Sequence, residues 1–356
     1  MNLSDFDYHL PKEMIAQRPL KNRDQSKLMV LNRADQTIEH HQFFELPTLL
    51  DENSVLVLNE SKVIPARLKF EMGNGNAEIL LIKPIHDNTW ECMVRPGRKF
   101  DPKTEVTIDS ECSFHVKDIT PHGLRTIKFY CDDFKDYLQK NGHTPTPPYI
   151  KEEVEDPEVY QTVYAKEDGS VAAPTAGFHF TQRVFDDLKK KGIQTEFVTL
   201  HVGLGTFQPV KTDNITEHPM HSEWFSLSDG TAERLNKAKK EGKKIVAVGT
   251  TSVRVLETCS DSSGKLTPYS GETDIFIYPG YQWKFVDQLI TNFHVPKSTL
   301  VMLVSSFASF CHPVLNQVQD HSGSKMNGHG FVLKAYETAK KEGYRFFSFG
   351  DSMLIR

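Results

Sequence analysis

Five histidines of this chain lie in stretches rich in glycine, threonine or asparagine, where the backbone is free to turn sharply. They are His179, His201, His218, His221 and His294. Histidine is the side chain best able to give and take protons near neutral pH, so the group predicts acid–base chemistry. The alternative interpretation is a set of tight turns whose histidines are simply hydrogen-bonded.

Two of these histidines belong to the longest such stretches, SVAAPTAGFHFT at 170–181 and VTLHVGLGTF at 198–207. Glycines remove side chains there while threonines and histidines supply donors and acceptors, which suits close approach of the backbone to a ligand. Between the stretches, TQRVFDDLKKKG is typical of a helix that Thr181 caps and Gly192 ends. The candidate ligand-binding residues of the two loops are Thr175, Gly177, Phe180, Gly203, Gly205 and Thr206.

The segment VAVGTTSVR at 246–254 predicts a strand, a Gly-Thr-Thr turn and the first turn of a helix. Backbone N–H groups at a helix start, threonine hydroxyls and a guanidinium can together bind a phosphate or a carboxylate. The candidates are Gly249, Thr250, Thr251 and Arg254. The segment lacks the GxxxxGK[ST] pattern of a P-loop, and an ordinary capped helix is the alternative.

The segment HPMHSE at 218–223 brings His218, His221 and Glu223 close together in sequence. In principle the two histidines could be metal ligands and the glutamate a base. Because no further ligand follows at a standard zinc spacing, the segment favours polar recognition or a hydrogen-bonded loop.

Two further segments place polar side chains beside predicted elements. TNFHVPKST at 291–299 sets Asn292 and His294 in a loop before an apolar helix, and FGDSM sets Asp351 after a predicted aromatic strand at 344–350. Strand ends are where α/β proteins bind ligands, although a lone aspartate there is more often a turn residue.

Length and composition describe the kind of protein that carries these segments. A chain of 356 residues is long enough for two domains, or for one large domain with an insertion. A mean hydropathy of −0.45 is typical of an ordinary soluble protein. No targeting segment is evident, and the longest apolar stretch, 298–310, is shorter than the ~20 residues that cross a bilayer. We therefore expect a cytoplasmic protein without membrane association.

The formal net charge of −5 argues against a protein that binds polyanions over its whole surface, but it allows a local basic patch. The candidate patch residues are Arg67, Arg95, Arg98 and Lys99. The last three lie in VRPGRKF, and solvated surface charge is the alternative interpretation.

Five cysteines are scattered along the chain without a CxxC spacing: Cys92, Cys112, Cys131, Cys259 and Cys311. Their odd number and irregular spacing predict neither a disulfide framework nor a thiolate zinc site. Reduced thiols of a cytosolic protein are the expectation.

The apolar pattern predicts the elements that hold these side chains. Helix and strand patterns alternate in 1–63 and 149–356, whereas 64–148 contains short strand-type runs separated by Gly, Pro, Asn and Asp. TDIFIYPGYQWKFVDQLI predicts two strands about a Pro-Gly turn, and 311–330 predicts a loop. The predicted fold is a complex, open barrel-like α/β domain of 1–63 and 149–356, interrupted by an inserted small antiparallel β-barrel domain at 64–148.

The segments match a known family when they are taken in order. They are VAAPTAGFHFT, VTLHVGLGTFQPV, HPMHSE, VGTTSVR, FIYPGY, TNFHVPKSTL and YRFFSFGDSM, with IAQRPL, VIPARL and PPYI in addition. With them the chain closely resembles the S-adenosylmethionine:tRNA ribosyltransferase-isomerases of queuosine biosynthesis. The resemblance spans essentially the whole chain, and so many long motifs make it highly specific.

The resemblance implies an enzyme that moves the ribosyl portion of S-adenosylmethionine onto 7-aminomethyl-7-deazaguanine at the tRNA wobble position. Rearrangement gives epoxyqueuosine in the tRNA, with release of adenine and methionine. It also implies an α/β domain interrupted by a small β-barrel, and neither a metal nor a separate redox cofactor. The partners are then S-adenosylmethionine and tRNA, and a monomer is the expected state.

The implied chemistry needs a base beside the sulfonium, a donor for the leaving adenine and a positioned amine. The acid–base candidates are His179, His201 and His294, with Glu223 or Asp351 near the sulfonium or amine charge. Thr250, Thr251 and Arg254 are expected to hold an anionic group such as the methionine carboxylate. His218, His221, Gly249 and Asn292 complete the expected substrate site.

The chain departs from the family pattern in a few places. Asn59, Glu60, Ser61 and Lys62 stand where relatives usually read Asn-Asp-Thr-Arg, and a lysine cannot reproduce the bidentate contact of an arginine. Phe178 replaces a usual leucine, and the segment from 311 to 330 is longer than in most relatives.

Two rival functions use the same residues. One is a tRNA-binding module whose catalytic site is degenerate. Against this alternative, every glycine, threonine and histidine of the matching loops is present. The other is a histidine-based metallohydrolase, which would contain bound metal.

Overall fold

The computed structural model describes residues 1–121, 123–152, 154, 156–203, 210, 212–309 and 328–356. Its strands are β1 (Lys27–Asn32), β2 (Thr37–Gln42), β3 (Ser54–Asn59), β4 (Ser61–Val63), β5 (Arg67–Glu71), β6 (Asn76–His86), β7 (Thr89–Arg95), β8 (Glu105–Thr107), β9 (Cys112–Ile119), β10 (Arg125–Cys131), β11 (Glu167–Ser170), β12 (Gln194–Leu200), β13 (Glu223–Leu227), β14 (Lys244–Val248), β15 (Tyr269–Thr273), β16 (Gln288–Asn292) and β17 (Ser352–Ile355). Its α-helices are α1 (Leu46–Leu49), α2 (Phe134–Asn141), α3 (Gln182–Lys190), α4 (Asp229–Lys240), α5 (Gly249–Cys259), α6 (Thr299–Ser309) and α7 (Gly328–Lys341). Short 3-10 helices occupy Leu3–Phe6, Lys12–Met14, Arg23–Gln25, Phe43–Glu45, Gly97–Lys99, Pro157–Tyr160, Thr175–His179 and Ile215–Glu217.

A nine-stranded sheet forms the centre of the molecule, in the order β15-β13-β12-β3-β14-β16-β17-β1-β2. Strands β12, β3, β14 and β16 run parallel to one another, while β17 runs antiparallel to β16 and parallel to β1. The carboxyl ends of the four parallel strands therefore meet at one edge of the sheet. The amino ends of β17 and β1 reach the same edge.

Helices cover both faces of this sheet. Strand β3, with the sequence SVLVLN, is buried at all of its positions, as expected of a strand covered on both sides. Val55 and Val57 pack with α4, α5, α6 and α7 on one face, while Leu56 and Leu58 pack with α1 and α3 on the other. This arrangement confirms the predicted α/β class.

A six-stranded sheet in the order β5-β6-β7-β10-β9-β8 is antiparallel throughout. The runs predicted as strands between 64 and 148 all lie in it, and their apolar side chains share one core with α2. Closure into a barrel is not confirmed, because within the described residues no ladder joins β5 to β8. Helix α2, which Asp133 caps by accepting the N–H of Asp136, corrects the expectation of an insertion without helices. The domain boundaries at 63/64 and 148/149 stay a prediction.

The prediction of two strands flanking the Pro-Gly turn was wrong about where these strands begin and end. Strand β15 ends before the turn, β16 begins after it, and 274–287 contains no strand. Buried Glu257 of α5 explains the difference, because its carboxylate accepts the backbone N–H groups of Lys284, Phe285 and Val286 at 3.0, 3.0 and 3.1 Å. A side chain thus satisfies backbone donors that a strand ladder would otherwise use.

The strand predicted at 344–350 was also wrong. This segment forms a tight turn in which Phe347 has a φ of +70°, and a Cβ on Gly350 would lie 2.5 Å from the carbonyl oxygen of Arg345. The last strand begins instead at Ser352, so Asp351 precedes a strand rather than following one.

The cysteines differ from expectation in one respect: Cys112 and Cys131 form a disulfide. The two residues are opposite each other in the β9–β10 ladder, with their Cα atoms 4.5 Å apart, a proximity that sequence spacing does not reveal. Cys92 and Cys259 are buried free thiols. Cys311 lies outside the described residues.

The loop predicted at 311–330 lies outside the described residues up to position 327. Residues 328–330 form the first turn of α7. Among the helices that the structure describes, none is long and apolar enough to cross a bilayer.

Candidate active site

A cavity of ≈ 830 Å³ opens at the edge where the parallel strands end, and we call it the ligand cavity. Gly249, Thr250 and Thr251 reach it from the end of β14, and Asn292 and His294 reach it from the end of β16. The remaining wall is mostly apolar and is made by Tyr149, Ala173, Pro174, Thr175, Ala176, Val202, Thr291, Phe293, Val295, Pro296, Ser298, Leu300, Phe347 and Ser348.

The predicted change from strand to helix is confirmed, but α5 begins at Gly249, so the three residues predicted as a turn belong to its first turn. The φ of +84° at Gly249 suits glycine at this sharp strand-to-helix junction. The N-cap residue Val248 provides no side-chain acceptor, so the first backbone N–H groups of the helix lack a side-chain cap. Thr251 Oγ1 is buried and has no hydrogen-bond partner within the described part of the chain. This corner of the cavity therefore offers donors suited to an anion.

A second space of ≈ 550 Å³, the inner compartment, shares Thr250 and Thr251 with the ligand cavity. Its wall includes His218, His221, Glu223 and Arg254, together with apolar side chains of α6 and of residues 275–277. Thus the structure brings HPMHSE and GTTSVR, which are far apart in sequence, to one place.

Arg254 and Glu223 form a buried ion pair between α5 and β13, and each is 6% exposed. Arg254 Nη2 also donates to the carbonyl of Thr273 at 3.0 Å, and Glu223 Oε1 accepts the N–H of Gly203 at 2.8 Å. Burial lowers the pKa of Arg254 to about 10, with Asp274 opposing that shift. The charge predicted to bind a ligand anion is therefore already balanced by a carboxylate.

His294 lines the ligand cavity and is 7% exposed. Its Nε2 lies 3.1 Å from Thr291 Oγ1, its Nδ1 lies 3.3 Å from Tyr336 Oη, and its carbonyl accepts the hydroxyl of Tyr8. Burial lowers the pKa of His294 to about 3. The imidazole is thus held neutral and fixed in orientation at physiological pH.

His179 lies behind Asn292 and is 3% exposed. Its Nδ1 is 2.7 Å from Ser26 Oγ, and its Nε2 is 3.3 Å from Asn292 Nδ2, while Asn292 Oδ1 accepts the hydroxyl of Thr175 at 2.9 Å. Burial, followed by the positive charges of Arg345 and Arg23, lowers the pKa of His179 to about 3. The ring supports Asn292 and Thr175, both of which line the cavity.

His201 follows β12 and is held from three sides. Ser61 Oγ lies 2.8 Å from its Nδ1, and its ring stacks on Trp224 with centroids 4.9 Å apart. A Cβ on Gly169 would lie 2.6 Å from its Nε2, so a larger residue there would displace the ring. Burial lowers the pKa of His201, although Glu167 and Asp168 oppose this. Ser61 is one of the departures from the family pattern, and it retains the hydroxyl of the usual threonine.

A third space of ≈ 1410 Å³, the intersheet cleft, lies between the six-stranded sheet and the larger sheet. It shares His221 and Glu223 with the inner compartment and Val202 with the ligand cavity. His201 and Trp224 line it, and so do Trp90 and other residues of β6 and β7. The three spaces are therefore neighbours.

Trp224 was missed by sequence reasoning. It lies in β13, whose sequence EWFSL alternates buried and less buried positions, and it is 42% exposed. Strict alternation in a strand indicates that Glu223 and Phe225 share one face while Trp224 occupies the other. A tryptophan on the outer face of such a strand was the available signal.

Several predicted site residues lie elsewhere. Phe180 is fully buried in the core against Phe43 and Phe185, and a Cβ on Gly177 would lie 1.9 Å from the hydroxyl oxygen of Tyr164. Close packing thus accounts for both the phenylalanine and the glycine. Gly205 and Thr206 lie outside the described residues. The helix predicted between the two loops is confirmed as α3.

Asp351 is 2% exposed and forms hydrogen bonds within the protein. Its carboxylate accepts the backbone N–H groups of Lys27 and Arg345 at 3.1 and 2.8 Å, and it pairs with the Arg345 guanidinium at 3.1 Å. These contacts fix the turn that precedes β17. Because the Asp351 carboxylate is used in these contacts, its role is to position the turn beside the ligand cavity.

The basic patch lies on the six-stranded sheet. Arg67 Nε is 3.3 Å from Glu78 Oε1, and Arg95 is opposite Glu78 in the β6–β7 ladder. Arg98 and Lys99 follow in the short 3-10 helix after β7. The four side chains thus cluster at one end of the sheet, and Arg95 and Arg98 are exposed.

Comparison with known proteins places the chain in a family. A profile described as queuosine biosynthesis protein matches residues 3–355. The chain belongs to the queuosine biosynthesis protein family. A relative from Natranaerobius thermophilus, named S-adenosylmethionine:tRNA ribosyltransferase-isomerase, is 48% identical over 362 residues, with 100% of both chains covered. One of the same name from Sulfurihydrogenibium sp. is 49% identical over 360 residues, again with 100% of both covered.

A crystal structure titled as S-adenosylmethionine tRNA ribosyltransferase from Thermotoga maritima has 39% identity and a TM-score of 0.55. The match covers 99% of this chain and 100% of the chain in that crystal structure. These matches confirm the resemblance drawn from the motifs, and they show that this member of the queuosine biosynthesis protein family is an enzyme.

The burial of His179 predicts how the free energy of unfolding of this protein changes at low pH. Its folded pKa of about 3 lies below the unfolded value, so as pH falls below ~6.5 the unfolded chain takes up the proton first and stability is lost. Between pH 8 and pH 5 this histidine should account for about 2 kcal/mol of the decrease in unfolding free energy. Urea unfolding of His179→Asn at the two pH values should show a decrease smaller by that amount.

The matched control is His86→Asn, because the side chain of His86 is 70% exposed. It should keep the pH dependence of the parent protein. An unchanged pH dependence in His179→Asn would contradict the assignment of a neutral, buried imidazole.

Proposed function

We propose that this enzyme transfers and isomerises the ribosyl moiety of S-adenosylmethionine onto 7-aminomethyl-7-deazaguanine at the wobble position of tRNA. The products are epoxyqueuosine in the tRNA, adenine and methionine. One observation carries the proposal: an apolar cavity at the start of α5, a compartment beside a buried ion pair and a cleft between two sheets share lining residues and so adjoin one another. Such neighbouring spaces suit a small substrate that must meet a base belonging to a large one.

The ligand cavity suits S-adenosylmethionine. Its apolar wall fits the adenosine portion, and the uncapped N–H groups of α5 with the hydroxyls of Thr250 and Thr251 fit the methionine carboxylate. Arg254 contributes positive charge from behind these hydroxyls, while its pairing with Glu223 keeps the site near neutrality. S-adenosylmethionine is consumed as a substrate, and the proposed reaction uses neither a metal nor a redox cofactor.

The acid–base roles are assigned from position. His294 lines the ligand cavity and is our candidate for accepting the proton removed beside the sulfonium. In the net reaction, the amine of the base replaces adenine, which leaves with a proton, and the epoxide C–O bond forms as sulfur leaves as the thioether of methionine. His201, at the intersheet cleft, is the candidate for proton exchange with the amine of the base. His179 acts through Asn292 as a positioning residue.

Glu223 rather than Asp351 is the carboxylate that we place near the cationic groups of the two substrates. Glu223 lines both the inner compartment and the intersheet cleft, whereas Asp351 binds backbone N–H groups and Arg345. A negative charge at this junction would favour a sulfonium or an ammonium. The reaction is expected in the cytoplasm, where tRNA is found.

The proposal is tested by incubating the protein with S-adenosylmethionine and tRNA that carries the modified base, followed by nucleoside mass spectrometry. Epoxyqueuosine should form in step with adenine and methionine, in equal amounts. Omitting S-adenosylmethionine is the control. Binding of tRNA without any product would instead favour the non-catalytic binding module, and bound metal in elemental analysis would favour the hydrolase.

Thr251 gives a second test, because its buried hydroxyl has no partner within the described part of the chain. Thr251→Val removes the hydroxyl at nearly constant shape, so the melting temperature should be unchanged. Affinity for S-adenosylmethionine in calorimetry should fall about fivefold, as expected for one lost hydrogen bond of about 1 kcal/mol. Thr258→Val on the same helix is the control, and unchanged affinity in Thr251→Val would remove this hydroxyl from the site.

The basic patch gives a third test, since we propose that Arg95, Arg98 and Lys99 contact tRNA phosphates. Replacing all three with alanine should weaken tRNA binding and lower the slope of log affinity against log salt by about 2 to 3. A triple variant of Lys189, Lys237 and Lys240, which are exposed on α3 and α4, changes net charge equally and is the control. Equal salt slopes for the patch variant and the parent would argue decisively against phosphate contact.

A further inference from the structure

We propose that Trp224 is the stacking platform for the modified base of the tRNA, which enters the intersheet cleft out of the anticodon stack. This inference rests on the proposed function and deepens it by assigning the nucleobase to a surface. None of the motifs discussed above includes Trp224 as a functional residue, and three independent features of the cleft support its role.

The first feature is the exposure and support of the ring. Trp224 is 42% exposed although tryptophan is a large apolar side chain, and it lines the cleft. One side of the indole lies on the ring of His201, with an angle of 19° between the planes. His201 is itself held by Ser61 and confined by Gly169. The indole is therefore an open aromatic surface on a fixed base, and nucleobases stack on such surfaces.

The second feature is the charge of the cleft. Its described lining carries the carboxylates of Glu91, Asp168, Glu223 and Glu272 against the ammonium of Lys83. Three of these carboxylates are ion-paired: Glu272 with Lys83 at 2.5 Å, Asp168 with Lys135 at 2.9 Å, and Glu223 with Arg254. The excess is therefore the single negative charge of Glu91, which favours a cation over a phosphate. The aminomethyl group of the modified base is a primary amine, which is protonated near neutral pH.

The third feature is the position of the cleft beside the inner compartment. Glu223, the chain neighbour of Trp224, lines both spaces and pairs with Arg254. A base stacked on Trp224 thus lies next to the compartment that adjoins the S-adenosylmethionine site. Strand β7 also runs from Trp90 in the cleft to Arg95 in the basic patch, ~17 Å along the strand. One anticodon loop can therefore place a base in the cleft and its phosphates on the patch.

The test is a cycle that changes both the protein and the tRNA. Affinity is measured for tRNA carrying the modified base and for the same tRNA made abasic at the wobble position. The parent protein should bind the first at least ~10-fold more tightly, the size expected of one stacked base. Trp224→Ala and Trp224→Leu should reduce that ratio to near one, while Trp224→Phe should retain most of it.

Leucine keeps apolar bulk against His201, so the leucine variant remains informative if alanine disturbs folding. Affinity for S-adenosylmethionine should be unchanged in all three variants. Phe44→Ala is the matched control, because Phe44 is 41% exposed and lies beside β2 at the far end of the large sheet. For Phe44→Ala, the ratio of the affinities for the two tRNAs should equal that of the parent protein.

The outcomes separate the two proposals. If the parent makes epoxyqueuosine but the alanine and leucine variants keep its preference for the base, the stacking role of Trp224 is overturned. Equal weakening of both tRNAs by these variants would overturn it as well, because the indole would then be acting on something other than the base. Failure of the parent to make epoxyqueuosine overturns the proposed function itself.

Discussion

The parallel run of β12, β3, β14 and β16 is the constraint on which the site depends. Neighbouring strands lie ~4.8 Å apart, so four strands that end at one edge bring their following residues within ~15 Å of one another. The segments that begin with His201, Glu60, Gly249 and Phe293 are separated by up to 233 residues of sequence and still meet there. Reversal of β17 brings the turn before Ser352 to the same edge, where its residues Phe347 and Ser348 close the cavity.

Within this frame, the Arg254–Glu223 pair joins two parts of the site that the sheet alone does not hold. It links α5, which presents Thr250 and Thr251, to β13, which presents Trp224. Both charges are buried, and removing one partner of such a pair typically costs about 3 to 5 kcal/mol. The contacts of the pair to Gly203 and Thr273 satisfy further polar atoms. The pair therefore fixes the distance between the ligand cavity and the intersheet cleft.

Much of this could be predicted from sequence because the signals are local. The Gly-Thr-Thr stretch predicted the change from β14 to α5 to within three residues, and Thr181 with Gly192 predicted both ends of α3. Alternating runs likewise predicted the strands of the second sheet. The motifs alone were sufficient to identify the family.

What could not be predicted depends on contacts between distant segments. Glu257 replaces a strand ladder at 284–286, and Asp351 serves a turn because Lys27 and Arg345 come to it. Trp224 lines a cleft because residues of a second sheet face it. None of these partners can be read from the spacing of apolar residues, since each is set by where another part of the chain happens to pack.

The place of β17 in the sheet also bears on how the protein is made. β17 lies between β16 and β1, yet it is synthesised about 320 residues after β1. At ~5 to 20 residues per second, the apolar edge of β1 remains without this partner for some tens of seconds. The β1–β2 hairpin therefore stays apart from the rest of the sheet until β17 has been synthesised. During that time the nascent chain carries an unpaired strand edge, which is prone to aggregation.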